Sequence, residues 1–155
     1  MAENKYGKHV LPVPIARIPH EGYNWEGIYA HKGELGGAGC TLAFQYITVP
    51  FEEGPPHKHN AHQLLCFVGS NLEKMSEFDA EIEIALGDEL EIQTITSPSI
   101  VSIPPGLTHC PLRFKRLTKP VLFIEIVLEG EYQRVLKPGE EQFEAYTKLL
   151  SSSND

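Results

Sequence analysis

The sequence predicts an all-β domain, and three observations predict it. Strand-like segments bounded by turn residues recur about every ten residues. Within them apolar side chains alternate with polar ones at a period of two, as in Glu81-Ile82-Glu83-Ile84. There is no strand–helix–strand alternation and no internal repeat, so the pattern is that of a sandwich or barrel. The chain has 155 residues, which suits one domain around one core.

The elements follow in order. The N-terminal region reads as loose strand and turn, because Pro12, Pro14 and Pro19 exclude a helix. Trp25 to Ala30 reads as a short strand closing one edge of a sheet, and Gly33 to Gly39 as a glycine-rich turn. Thr41 to Val49 is rich in β-branched and aromatic residues and is ended by Pro50. His62 to Val68 forms a second strand, closed by Gly69-Ser70-Asn71, and Asn71 to Asp79 reads as a polar loop. Glu81 to Leu86 and Leu90 to Thr96 alternate around the turn at Gly87-Asp88. Ile100 to Ile103 stops at Pro104-Pro105-Gly106, and Val121 to Leu128 is the most apolar strand and therefore central. Glu140 to Leu150 carries Phe143, Tyr146, Leu149 and Leu150 at helical spacing, which predicts a short C-terminal helix.

Charge and composition exclude several classes. The net charge is −8 and Lys and Arg form no long cluster, which argues against a nucleic-acid surface. The short run Arg113, Lys115, Arg116, Lys119 reads as the solvated face of a strand. No apolar run approaches ~18 residues, so no helix spans a membrane. The first residues lack the apolar stretch of a secretory signal. Three cysteines, Cys40, Cys66 and Cys110, with no CxxC spacing read as reduced thiols of a cytoplasmic protein.

The chemistry is concentrated in Gly54-Pro55-Pro56-His57-Lys58-His59-Asn60-Ala61-His62-Gln63. If this stretch is extended, His57, His59, Ala61 and Gln63 share one face and His62 the other. Two imidazoles and an amide oxygen then converge, a donor set suited to a divalent transition metal. A bulge between His59 and Gln63 would exchange Gln63 for His62. A further histidine, His109, follows Pro104-Pro105-Gly106-Leu107-Thr108, so that each histidine group is preceded by a Pro-Pro pair.

These residues resemble the two motifs of the cupins, G-x5-HxH-x3,4-E-x6-G and G-x5-PxG-x2-H-x3-N. His57 and His59 match the first, with Gln63 where Glu is usual, and Pro104, Gly106 and His109 match the second. The departures are Phe51 at the opening glycine, Gly69 one residue early, Pro98 at the second opening glycine and Arg113 at the closing asparagine. The stretch from Phe67 to Gly87 is similar to a subgroup of bacterial and archaeal cupins. The resemblance covers residues 40 to 128 of a single domain over residues 1–155. It implies a cupin jelly-roll β-barrel, here with an N-terminal strand extension and the short C-terminal helix. It also implies a metal (Fe, Mn, Ni, Co or Zn) held by His57, His59, Gln63 and His109, and a small molecule in the barrel mouth. Family members commonly dimerise through edge strands, so the expectation is a homodimer. Gln63 has the alternative role of hydrogen-bonding a histidine. An amide in place of a carboxylate leaves the ion its full charge and makes it a stronger Lewis acid.

The remaining polar residues have competing readings. Glu125 lies in the apolar strand FIEIVL and is either a general base in the barrel mouth or an outward group paired with Arg113, Arg116 or Lys119. Tyr46 and Phe44 share a strand face and either line the pocket or pack in the core. Glu81 and Glu83 share a solvent-facing side. Cys110 follows His109 and by strand parity points away from it, so Cys66 and Cys110 read as small buried apolar residues. His9, His20 and His31 suggest no site. Two functions follow. One is a small metal-dependent enzyme (a dioxygenase, isomerase or lyase) acting on a small acidic or sugar-like molecule. The other is a non-catalytic binding or sensing module that uses the metal to hold its ligand. A titratable group such as Glu125 or Tyr46 facing the open metal position separates them.

Overall fold

The computed structural model describes residues 4–20, 23–128 and 134–135. Twelve strands follow one another: β1 (Ile15–His20), β2 (Tyr23–Ala30), β3 (Cys40–Ile47), β4 (Phe51–Glu53), β5 (Lys58–His59), β6 (His62–Gly69), β7 (Ala80–Leu86), β8 (Glu91–Ile95), β9 (Ser99–Ile103), β10 (His109–Leu117), β11 (Val121–Leu128) and β12 (Arg134–Val135). One sheet has the order β1-β2-β3-β11-β6-β9 and a second the order β4-β10-β7-β8, while β12 pairs with β5. All pairings are antiparallel. The two main sheets pack face to face as a jelly-roll barrel, the architecture the sequence implies. The expected C-terminal helix, Glu140 to Leu150, lies outside the described residues.

The most apolar strand, β11, is central, lying between β3 and β6. Its register sets an inward row across both neighbours at once. Phe123 stands between Gln45 and Phe67, Glu125 between Ala43 and Leu65, and Val127 between Thr41 and Gln63. The second sheet answers with Ile82, Ile84, Leu112 and Phe114, each no more than 1% exposed. Phe114 is the hinge of this core. Its ring lies 5.4 Å from Phe51, 5.6 Å edge-on to Phe123 and 6.0 Å from Phe67, joining β4, β10, β11 and β6.

The N-terminal region is more regular than the prolines suggest. β1 and β2 form a hairpin that joins the six-stranded sheet through β3. Pro19 is tolerated because β1 is an edge strand. The short β4 also went unrecognised, since three residues carry no readable alternation.

The basic run is neutralised on the outer surface of the second sheet. Arg113 pairs with Glu52 at 3.2 Å, Lys115 with Glu83 at 2.9 Å and Glu81 at 3.5 Å, Arg116 with Asp79 at 2.7 Å, and Lys119 with Glu77. The hydrogen bond from Lys119, and then that from Asn71, holds the Glu77 carboxyl below the usual range. Arg116 does the same for Asp79. The three basic residues weighed as partners for Glu125 are thus engaged elsewhere. No helix among the described residues is long and apolar enough to cross a membrane.

Because Phe114 touches aromatic rings from both sheets, Phe114→Ala is expected to cost about 3–5 kcal/mol. Urea unfolding followed by circular dichroism checks this, against Tyr46→Ala on the outer surface, which should leave the midpoint nearly unchanged.

Candidate metal centre

The backbone brings the two histidine groups together before any side chain is considered. His57 and His109 exchange both main-chain hydrogen bonds, His57 N–H to His109 O at 3.0 Å and His109 N–H to His57 O at 2.9 Å. An antiparallel pair of this kind places both side chains on one face. Two residues on, the Gly106 N–H donates to His59 O at 2.9 Å, tying the second motif to the first again. Gly106 has φ +83° and Leu107 N–H bonds back to Pro104 O. Proline second and a left-handed glycine third make a type II turn, which is why Pro104-Pro105-Gly106 reads as it does. Thr108 is buried and locked by its hydroxyl donating to Asp88 at 2.7 Å, while its carbonyl accepts from Gly87 N–H. His109 therefore leaves a turn fixed at both ends.

Between β5 and β6 the chain bends at Asn60 and Ala61 rather than running as one strand, yet the alternation survives. His57, His59, Ala61 and Gln63 are all buried, and Lys58 and Asn60 are exposed. His62 faces the other way and shares a 2.7 Å hydrogen bond with Ser102 Oγ. The parity that favours Gln63 over His62 is the observed one.

The three imidazoles form one buried cluster. Ring centroids are 4.4 Å apart for His57 and His109, 4.8 Å for His57 and His59, and 4.9 Å for His59 and His109. None is more than 5% exposed. The Nδ1–H of His57 donates to Pro55 O at 2.7 Å and that of His109 to Leu107 O at 3.0 Å. Each ring is thereby held in the tautomer that keeps the Nε2 lone pair for another use, the arrangement common to metal-bound histidines. Gln63 is 4% exposed and its Oε1 has no hydrogen-bond partner. A buried, unsatisfied amide oxygen costs on the order of 1–3 kcal/mol, and a cation beside it would remove that cost. The donor set therefore fits a divalent transition metal.

Cys110 is buried in the hydrophobic core, as expected, but the parity expected of it is not kept. Its ligand atom and those of His57 and His109 all lie within 4.8 Å of one another. Strand parity fails there because Cys110 takes φ +79° and the β10–β7 register shifts between His109 and Leu112. Cys66, by contrast, stays half-buried on β6, where burial pushes its thiol pKa up.

Glu125 occupies the inward row of β11 and is the diagonal neighbour of Gln63 across β6. It lines a cavity of about 40 Å3 together with Tyr29, Ala43, Gln45, Glu53 and Phe123, room for about three water molecules. None of the histidines lines this cavity; Glu53 in its wall precedes Gly54, which packs against Cys110. Tyr46 does not take the role considered for it. It is 51% exposed on the outer face, and Gln45 faces inward in its place. The tyrosine in the wall is Tyr29 on β2, its ring edge-on to His31 at 4.6 Å. Burial, then the Glu125 and Glu34 charges, push its pKa to about 12. Tyr29 and Glu53 were missed because their strands do not announce themselves. The alternation of Glu53 against exposed Glu52 was the available signal.

This is the cupin fold. A cupin-2 domain protein of Rhodospirillum rubrum matches over 92% of this chain and 90% of its own, at 10% identity and a TM-score of 0.53. Peruvianin-I, a cysteine peptidase from Thevetia peruviana latex, matches over 88% and 80%, at 12% identity and a TM-score of 0.57. The Bacillus subtilis oxalate decarboxylase matches over 86% of this chain but 34% of its own, at 14% identity and a TM-score of 0.51. No protein-family model matches the sequence, and neither does any curated protein.

Tyr29 is expected to titrate late in the folded protein. Its proton is held to about 12 against an ordinary 10.0. Between those values the unfolded chain binds fewer protons than the folded one, so stability falls as pH rises through that window. Ultraviolet titration of tyrosinate checks this, and Tyr29→Phe should remove the late phase.

Proposed function

We propose that the protein is a small metal-dependent enzyme whose ion is held by His57, His59, His109 and Gln63 and whose substrate enters the adjoining cavity. The observation that carries the reading is that Glu125, in the wall of an interior cavity with Tyr29, is the diagonal neighbour of Gln63 in a fold that also buries three clustered histidines. A carboxylate and a phenol on one cavity can also orient a held ligand, but together they supply the proton acceptor and donor that an enzyme uses. The oxalate decarboxylase of the same fold carries Mn(II) centres, which supports a metal here without fixing which one. The metal, when bound, supplies a Lewis acid that polarises an oxygen of the substrate.

The chain's own residues then divide the remaining work. Glu125 accepts or returns a proton in the cavity. Tyr29, protonated at neutral pH because its pKa is near 12, donates a hydrogen bond through its hydroxyl. The hydroxyls of a small acidic or sugar-like molecule can donate to Glu53 and Glu125 in the cavity wall. The likeness of Phe67 to Gly87 to a bacterial and archaeal cupin subgroup belongs to the same proposal. So does a homodimer built on an edge strand, with β1 and β9 bounding the larger sheet.

Two measurements test this. Metal analysis of protein purified without chelator should find stoichiometric transition metal, lost in His57→Ala/His59→Ala. Full retention in that variant, or no metal after reconstitution, overturns the centre. Glu125→Gln should keep the metal and lower turnover of a sugar-like substrate by roughly 10²–10⁴-fold. Unchanged turnover would remove Glu125 from the chemistry.

A further inference from the structure

The geometry points to Cys110 as an additional ligand, a thiolate that supplies the negative charge Gln63 does not. This inference rests on the metal centre proposed above and changes its chemical character.

Three independent features place the sulfur. The first is position: the ligand atoms of Cys110, His57 and His109 lie within 4.8 Å of one another, and all three residues are buried. The second is the backbone that achieves it. On a regular strand Cys110 would point away from the face His109 uses. Here φ is +79°, a region that non-glycine residues rarely occupy. The third is the space made for it. Gly54 has φ +113°, and a Cβ at that position would lie 2.6 Å from the Cys110 Cβ and 3.3 Å from its Sγ. Any other residue at position 54 would displace the sulfur. A buried cysteine serving only as a small apolar residue requires neither the left-handed backbone nor the missing neighbour.

The chemistry agrees with the geometry. Three imidazoles and an amide are all neutral, so a divalent ion there would keep its entire charge in a buried site. A thiolate halves it. On binding, the Cys110 S–H bond breaks, its proton leaves to solvent, and a sulfur–metal bond forms with no change of oxidation state. Sulfur also narrows the choice of ion, favouring zinc, cobalt, nickel or iron over manganese, which prefers oxygen donors.

Cobalt(II) is the probe, because its visible d–d bands report binding and a near-ultraviolet charge-transfer band reports a bound thiolate. The chain stripped of metal is titrated with cobalt(II) beside Cys110→Ser and Cys40→Ser/Cys66→Ser. We expect both features in the native chain, both in the double variant, and loss of the charge-transfer band with d–d bands retained in Cys110→Ser. The double variant leaves Cys110 as the sole thiol, so the test stands even where Cys110→Ser fails to fold. Cobalt binding without the charge-transfer band, or a band that survives Cys110→Ser, overturns Cys110 as ligand and leaves the histidine centre standing. No cobalt binding by the native chain overturns both.

Discussion

The pair of main-chain hydrogen bonds between His57 and His109 is the constraint on which the site depends. It joins segments some fifty residues apart in the chain, and it does so with backbone atoms that any sequence possesses. What is particular to this sequence is the framing: a type II turn ending at Gly106 on one side, and on the other a prolyl segment whose Pro55 carbonyl takes the Nδ1–H of His57. The His57 and His109 imidazoles are each positioned by a main-chain carbonyl. A ring held this way loses little further freedom when it binds something.

The interior carries two kinds of group. Aromatic rings centred on Phe114 fill much of it, and Phe123 of that cluster also lines the cavity with two carboxylates and a phenol. The imidazoles and the Gln63 amide are buried as well. Buried polar groups in such number oppose folding unless they meet partners. The apolar cluster carries the stability that permits them, and the outer ion pairs hold Arg113, Lys115 and Arg116 on the outer face of the second sheet.

Much of this was legible in the sequence because it depends on periodicity. β11 was read with its observed limits, Val121 and Leu128. The choice of Gln63 over His62 followed from counting residues along an extended chain, and the bend at Asn60 and Ala61 did not upset it because the alternation of burial persists through it. What was not legible depends on departures from period. The left-handed backbone at Cys110 reverses the parity rule at one residue, and nothing in the local residue types announces that. Tyr46 looked a better pocket residue than Gln45, but inward direction is fixed by the register with β11, in which Gln45 faces Phe123. Glu53 sits on a strand whose partner, β10, is distant in sequence, while Tyr29 is paired with the neighbouring β3, so their convergence belongs to topology alone.

The β1–β2 hairpin has a consequence for how such a protein changes over time. Ala16, Gly27 and Tyr29 from this hairpin line the cavity, while the histidines come from β5 and β10 and the segments just before them. The wall that meets the occupant and the cluster that would do the chemistry are thus encoded in separate stretches of chain, joined through β3 and β11. Drift in the N-terminal stretch can reshape what the barrel admits while the histidine framework stays intact. The added strands make selectivity a detachable trait of an otherwise constant core.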